Sequence, residues 1–177
     1  MQANIKRVKK RDFEEIDMLL KMTFESDSVA EMLMEFKNTS DFVPELTRVA
    51  RINDQIIGVI IYSHVQITKG KKTIDTISMV CMAVLPAYQN LGIGGELIRN
   101  SFAKARELEY QSVIVMGYEG YYPRFGFKPT AEFDITCPFD VPEENFMALE
   151  LFPDTLSAVS GKVKYPVLLN LLPTYTT

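Results

Sequence analysis

The chain of 177 residues has no tryptophan, one histidine and two cysteines. The cysteines, Cys81 and Cys137, stand far apart with no C-x-x-C spacing, so neither a disulfide framework nor a zinc site is indicated, and a reducing, cytoplasmic home is expected. No metal is called for. No apolar run reaches the ~18 residues of a membrane span, and the opening "MQANIKRVKKRDFEEID" has no apolar stretch that could act as a secretion signal. Positive charge is also in short supply. Nineteen Lys and Arg against 23 Asp and Glu leave a formal charge of -4, which argues against a binder of nucleic-acid phosphates and favours a small or cationic partner. The basic run Lys6, Arg7, Lys9, Lys10 and Arg11 does not reverse this. Asp12, Glu14, Glu15 and Asp17 follow at once, and no aromatic residue is interleaved for base stacking, so the run reads as an exposed strand and turn.

The chain is 47% apolar, enough for a single domain over residues 1–177 to bury a core without staples. Repeats and low-complexity segments are absent, and strand and helix patterns alternate, as in an α/β or α+β layered domain. "NIKRV" reads as a short edge strand. "RDFEEIDMLLKMTF" reads as a helix with Phe13, Ile16, Leu19, Leu20 and Phe24 at helical spacing, Asp12 as N-cap and Glu15 three residues on. A second helix is expected over residues 29–36. "LTRVARI" and "QIIGVIIYSHVQI" flank Asn53-Asp54 and form a hairpin pattern. "TIDTISMVCMAV" is nearly continuous in apolar character, which implies a central strand buried on both faces. From Gly92 onward, Ile93, Leu97, Ser101, Ala105 and Leu108 share one helical face, and Glu96, Arg99, Asn100, Lys104 and Glu107 the other. "SVIVM" and "FMALELF" are later strands.

The stretch "VLPAYQNLGIGGELI" puts Gly92, Gly94 and Gly95 where the central strand gives way to that helix. A helix start presents unpaired N–H groups and the positive end of the macrodipole, and glycine lets a phosphate approach them. A P-loop would need Lys and Ser/Thr after the last glycine, where Glu96 and Leu97 stand; a dinucleotide fingerprint would need a small residue at Leu97. What remains is Q-x-x-G-x-G, made by Gln89, Gly92 and Gly94.

With these residues the sequence resembles the GNAT superfamily of N-acetyltransferases. A second match is "GYEGYYPRFGF", whose Tyr122, Gly126 and Phe127 fit the family's late Y-x-x-x-G-F signature, and "ENFMALELFPDTLSAVSGKVKYP" is similar to the tail of a bacterial subgroup of predicted acetyltransferases. The resemblance implies a splayed mixed β-sheet with helices on both faces and acetyl-coenzyme A as co-substrate. Its diphosphate would lie on the backbone of Gln89, Asn90, Leu91, Gly92, Ile93, Gly94 and Gly95. Its pantetheine would bond the backbone of Met82, Ala83 and Val84 in a slot between "ISMVCMAV" and "SVIVM", as an added strand would. Cys81, in a buried strand, is then a small core hydrophobe rather than a nucleophile.

Acyl transfer to an amine needs a neutral amine, a polarised thioester carbonyl and a proton for the departing thiolate. A thiol titrating near about 8.5 can take its proton from a phenol near about 10. By resemblance Tyr122 is that donor, with Tyr121 the weaker candidate. Asp75, Glu119, His64 or water could relieve the ammonium of its proton, and no spacing singles one out. Glu25, Asp27, Glu31, Glu35, Asp41 and Glu45 make the segment between the first helices acidic, which reads first as a solvated face and second as a lure for a cationic amine. The expected activity is transfer of acetyl to a primary amine of a small molecule or peptide. A sensor or scaffold that keeps the cofactor slot without catalysis is the competing expectation, and whether the chain pairs as a homodimer stays open.

Overall fold

The computed structural model describes residues 3–171. By contacts between α-carbons the chain divides into two units, one of Met1–Tyr62 and Val80–Ala105, the other of Ser63–Met79 and Arg106–Thr177. Two long strands, β3 (Gln55–Lys69) and β4 (Lys72–Val84), have residues in both.

In the first unit, β1 (Asn4–Arg7) pairs antiparallel with β2 (Arg48–Ile52), and β2 pairs antiparallel with β3 from Arg48↔Ile60 to Ile52↔Gln55. The hairpin turn is Asn53-Asp54, as expected. Both residues have positive φ, 47° and 65°, the primed geometry that matches the twist of a two-residue hairpin. Helix α1 (Phe13–Thr23) buries Ile16, Leu19 and Leu20, and α2 (Asp27–Phe36) buries Val29, Ala30, Met32, Leu33 and Phe36. The second helix begins two residues before the expected start, because Ser26 caps it by accepting the Ser28 N–H.

Asp12 stands at the N-cap position of α1, as expected, but does not cap that helix with its side chain. Its backbone is already helical and its side chain makes no cap bond; a short 3-10 turn, Lys10–Asp12, precedes α1. The buried carboxylate instead accepts the Lys9 N–H at 2.8 Å and Arg51 Nη2 at 2.9 Å. Glu15 accepts Arg51 Nη1 at 3.3 Å, so one guanidinium ties the start of α1 to β2. The same carboxylate closes a capping box on the 3-10 turn, through the Lys9 N–H, and takes the distant guanidinium as well.

Helix α3 (Ile93–Glu107) buries Ile93, Leu97, Ser101 and Ala105 on the expected face, together with Ile98 and Phe102. Leu108 falls beyond the last turn and is exposed. Ser101 sits in this apolar stripe because its hydroxyl donates to the Ile98 carbonyl at 2.9 Å and accepts from Tyr62 Oη at 2.6 Å. Gly58 brings α3 close to β3: a Cβ there would lie 3.2 Å from Leu97 Cδ1 and 3.3 Å from the Ala83 carbonyl oxygen.

In the second unit, β4 runs parallel to β5 (Ser112–Met116) with Ile77, Ser78 and Met79 opposite Val113, Ile114 and Val115. β5 continues antiparallel to β8 (Phe146–Glu150), which takes β6 (Lys128–Pro129) on its other side. β9 (Gly161–Lys164) pairs antiparallel with β3 and parallel with β7 (Ile135–Thr136). The sheet is therefore mixed. Strands β6, β7 and β9 were not expected from the sequence, being two to four residues long and without alternation to betray them. The central strand is buried without a break only from Thr76 to Met79. From Val80 to Val84 burial alternates, with Cys81 and Ala83 inside and Val80, Met82 and Val84 half-exposed. Hydroxyls pin the β4–β5 start, where Thr76 Oγ1 meets Ser112 Oγ at 2.7 Å, and Ser78 Oγ meets Tyr165 Oη at 2.8 Å.

Candidate active site

The predicted cofactor residues all lie in the first unit. After β4 the chain makes a 3-10 turn at Pro86–Tyr88, with Tyr88 N–H donating to the Leu85 carbonyl and Gln89 N–H to that of Pro86. Gln89 Nε2 then reaches back to the Val84 carbonyl at 2.9 Å, so this side chain ties the loop to the strand end. Asn90 and Gly92 have positive φ, 62° and 84°, and two left-handed steps so close together turn the chain sharply into α3. The first bond of α3 runs from the Glu96 N–H to the Gly92 carbonyl, which leaves the N–H groups of Ile93, Gly94 and Gly95 without intrahelical acceptors. Gln89, Asn90, Leu91 and Gly92 are exposed, so the positive end of α3 opens to solvent. Met82 and Val84 are half-exposed and Ala83 buried, and the Val84 carbonyl is already engaged by Gln89. Burial pushes the Cys81 thiol up to about 12, so at neutral pH it stays protonated and inert.

The second unit holds Tyr122 at the start of a 3-10 turn, Tyr122–Phe125, which ends in left-handed Gly126 at φ 99°. The half-exposed Tyr122 ring stands edge-on to Tyr121 at 5.2 Å and to buried Phe127 at 5.8 Å between centroids. Arg124 lies over the outer face of Tyr121, 4.6 Å from its centroid. The predicted motif is thus an aromatic cluster, and Gly126 is the reversal that sends Phe127 inward.

Of the predicted bases, Glu119 is exposed in the same loop. Asp75 is exposed and accepts Gln66 Nε2 at 2.9 Å, and His64 is half-buried beside Tyr110, 6.0 Å between rings. In the acidic segment Glu25, Asp27, Glu31 and Glu35 are exposed, and Glu45 pairs with Arg7 at 3.2 Å. That is a solvated face. Two residues beside the aromatic loop escaped the sequence reading. Gly117 ends β5 and donates its N–H to the Asn145 carbonyl at 2.8 Å, and Asn145 Oδ1 is buried with no partner among the described residues. Glycines flanking tyrosines in "GYEGYY" could have signalled the first; nothing in the sequence signals the second.

Known proteins share this architecture and sequence. A sequence model of the acetyltransferase (GNAT) domain matches residues 44–129. The uncharacterized N-acetyltransferase YhbS of Escherichia coli K12 is 30% identical over 151 residues, covering 85% of this chain and 88% of the relative. A second E. coli relative, the uncharacterized N-acetyltransferase YjhQ, is 33% identical over 68% of this chain and 65% of its own length. The crystal structure of YhbS in complex with coenzyme A superposes with a TM-score of 0.91 at 27% identity, over 98% of this chain and 95% of that one. A GNAT acetyltransferase of Brucella melitensis in complex with acetyl-coenzyme A gives 0.72 at 26% identity, over 94% and 97%. The glycine-spaced turn into α3, the mixed sheet and the match along most of the sequence agree, and the chain belongs to the GNAT family of N-acetyltransferases.

Proposed function

We propose that this chain transfers the acetyl group of acetyl-coenzyme A to a primary amine of a small molecule or peptide by direct attack, with Tyr122 as general acid. The observation that carries it is the start of α3. Left-handed Gly92 and the N–H groups of Ile93, Gly94 and Gly95, which lack intrahelical acceptors, form a cradle for a diphosphate, in a family whose relatives have been crystallised with coenzyme A and acetyl-coenzyme A. The half-exposed backbone about Met82 and Val84 offers the pantetheine a strand to lie along. In the reaction the amine nitrogen bonds to the thioester carbon, the C–S bond breaks, and sulfur leaves with the electron pair and takes the Tyr122 proton. The proton shed by the amine passes to Glu119 or to water, and the phenolate regains its own from solvent. Holding amine and thioester together supplies most of the rate. On this reading residues 1–177 act as one catalytic domain in the reducing cytoplasm, where thiols such as those of Cys81 and Cys137 stay free.

The thermal unfolding midpoint tests this directly, measured with saturating acetyl-coenzyme A, coenzyme A, ATP and NAD in parallel. Ligand at a hundred times its Kd stabilises the folded chain by about 2.7 kcal/mol, which lifts the midpoint by roughly 5–10 °C for a protein of this size. A rise with the two coenzyme A species alone is expected, followed by thiol release when an accepted amine is added. No rise with either would end the proposal.

A further inference from the structure

Two glycines of the aromatic loop lie under its tyrosines. An ideal Cβ on Gly117 would stand 2.2 Å from Tyr122 Cε2, 3.0 Å from Cδ2 and 3.2 Å from Cζ, inside the space the ring now fills. The backbone does not require glycine there, since Gly117 is not among the residues of positive φ. What the position requires is the missing side chain. The ring has little freedom to yield, because Tyr121 and Phe127 stand edge-on to it with interplanar angles of 89° and 79°. Nor is Gly117 itself free to shift, as its N–H bond to the Asn145 carbonyl and the β5–β8 ladder from Met116↔Phe146 onward hold it. Three residues later Gly120 stands in the same relation to a different ring: its Cβ would meet Tyr118 Cε1 at 2.5 Å and Oη at 2.8 Å.

We propose that Gly117 is a positioning residue for acyl transfer: its bare α-carbon seats the Tyr122 ring and so aims the phenol that protonates the leaving thiolate. The inference rests on Tyr122 being the acid. A methyl group at 117 pushes the ring off its seat and the proton off its line, and a displacement of about 1 Å at a reacting group costs on the order of a hundredfold in rate. Cofactor affinity should be untouched, because the diphosphate cradle is made by a different stretch of backbone. Gly120→Ala is the matched control. It puts the same methyl into the same loop under Tyr118, to which the proposed mechanism gives no role.

The test compares wild type, Gly117→Ala, Gly120→Ala, Tyr122→Phe and the double variant Gly117→Ala/Tyr122→Phe. Thiol release from acetyl-coenzyme A is followed with spermidine, agmatine and an alanyl peptide as amines, and with water alone as the acceptor common to every variant. Gly117→Ala should lower kcat by about 10- to 100-fold with KM for acetyl-coenzyme A within about twofold, Gly120→Ala should stay near wild type, and the double variant should be no slower than Tyr122→Phe. A Gly117→Ala enzyme at wild-type kcat, or one that loses the same factor with and without the Tyr122 hydroxyl, overturns the proposal. A crystal structure of Gly117→Ala with coenzyme A separates the two assumptions. A displaced ring alongside a fully active Tyr122→Phe would condemn the acid, whereas an unmoved ring would condemn the seat.

Discussion

The loop at residues 89–95 and the loop at residues 117–127 each hold three glycines, and they use them for different physics. In the first, Gly92 supplies a left-handed turn, and Gly94 and Gly95 stand in the first turn of α3, where the N–H groups have no intrahelical acceptor. In the second, Gly117 and Gly120 vacate the volume that Tyr122 and Tyr118 occupy, and only Gly126 is there for its backbone conformation. One loop is built from main chain and the other from rings packed on a bare main chain. Substitutions in the first should therefore act on cofactor affinity, and substitutions in the second on turnover.

The largest effect should come from Gly94→Glu. An acidic side chain in the first turn of a helix suits the macrodipole, so the chain should fold normally, but its carboxylate stands where we propose the diphosphate lies. The thermal rise with acetyl-coenzyme A should vanish; a wild-type rise would detach the diphosphate from this loop. Tyr122→Phe should lower kcat by about a hundredfold, the low end of what a positioned acid contributes, with acetyl-coenzyme A affinity within about twofold. An equal loss in affinity would turn the phenol into a binding group and erase the contrast between the loops.

A pH effect tests the strand that leads into the first loop. Burial raises the Cys81 thiol from 9.0 to about 12. Below pH 9 folded and unfolded chains both carry the protonated thiol. Between pH 9 and 12 only the unfolded chain ionises, so the wild type should lose up to about 1.4 kcal/mol of stability per pH unit through this group. Denaturant melts of wild type and Cys81→Ala at pH 8.5 and 10.5 check the sign: the wild type should fall the more steeply, and parallel lines would mean the thiol is solvated. The smallest effect belongs to Gln89→Ala. Losing the bond to the Val84 carbonyl costs about 0.5–1 kcal/mol, a two- to fivefold weaker Kd for acetyl-coenzyme A by titration calorimetry. An unchanged Kd would make that side chain a bystander to the loop.

How much of this could be read from the sequence follows the same division. Main-chain chemistry is written locally. The spacing of Gln89, Gly92 and Gly94, the Asn53-Asp54 turn and the apolar stripe of α3 each depend on residues within a few positions of one another, and each emerged where the pattern put it, save Leu108 at the far end of the stripe. The ion pair of Asp12 was not legible, because its partner Arg51 lies 39 residues away and a capping pattern says nothing of distant cations. Strands β6, β7 and β9 exist only by pairing with neighbours far along the chain, and such short runs carry no periodicity of their own. Met32 and Met34 also divide by tertiary context, the one buried and the other half-exposed on the same helix.

By itself the sequence determined the family, the longer strands and helices in their order, and the glycine-spaced turn into α3, because glycine spacing and hydrophobic period act over short range. Only the tertiary structure decided that Gln89 binds the end of β4, that Asp12 holds a distant guanidinium, that Asn145 Oδ1 is buried with no partner among the described residues, and that a tyrosine ring rests on Gly117. Each of those depends on which atoms fill a volume, and a chain's local pattern does not record what will lie against it once it folds.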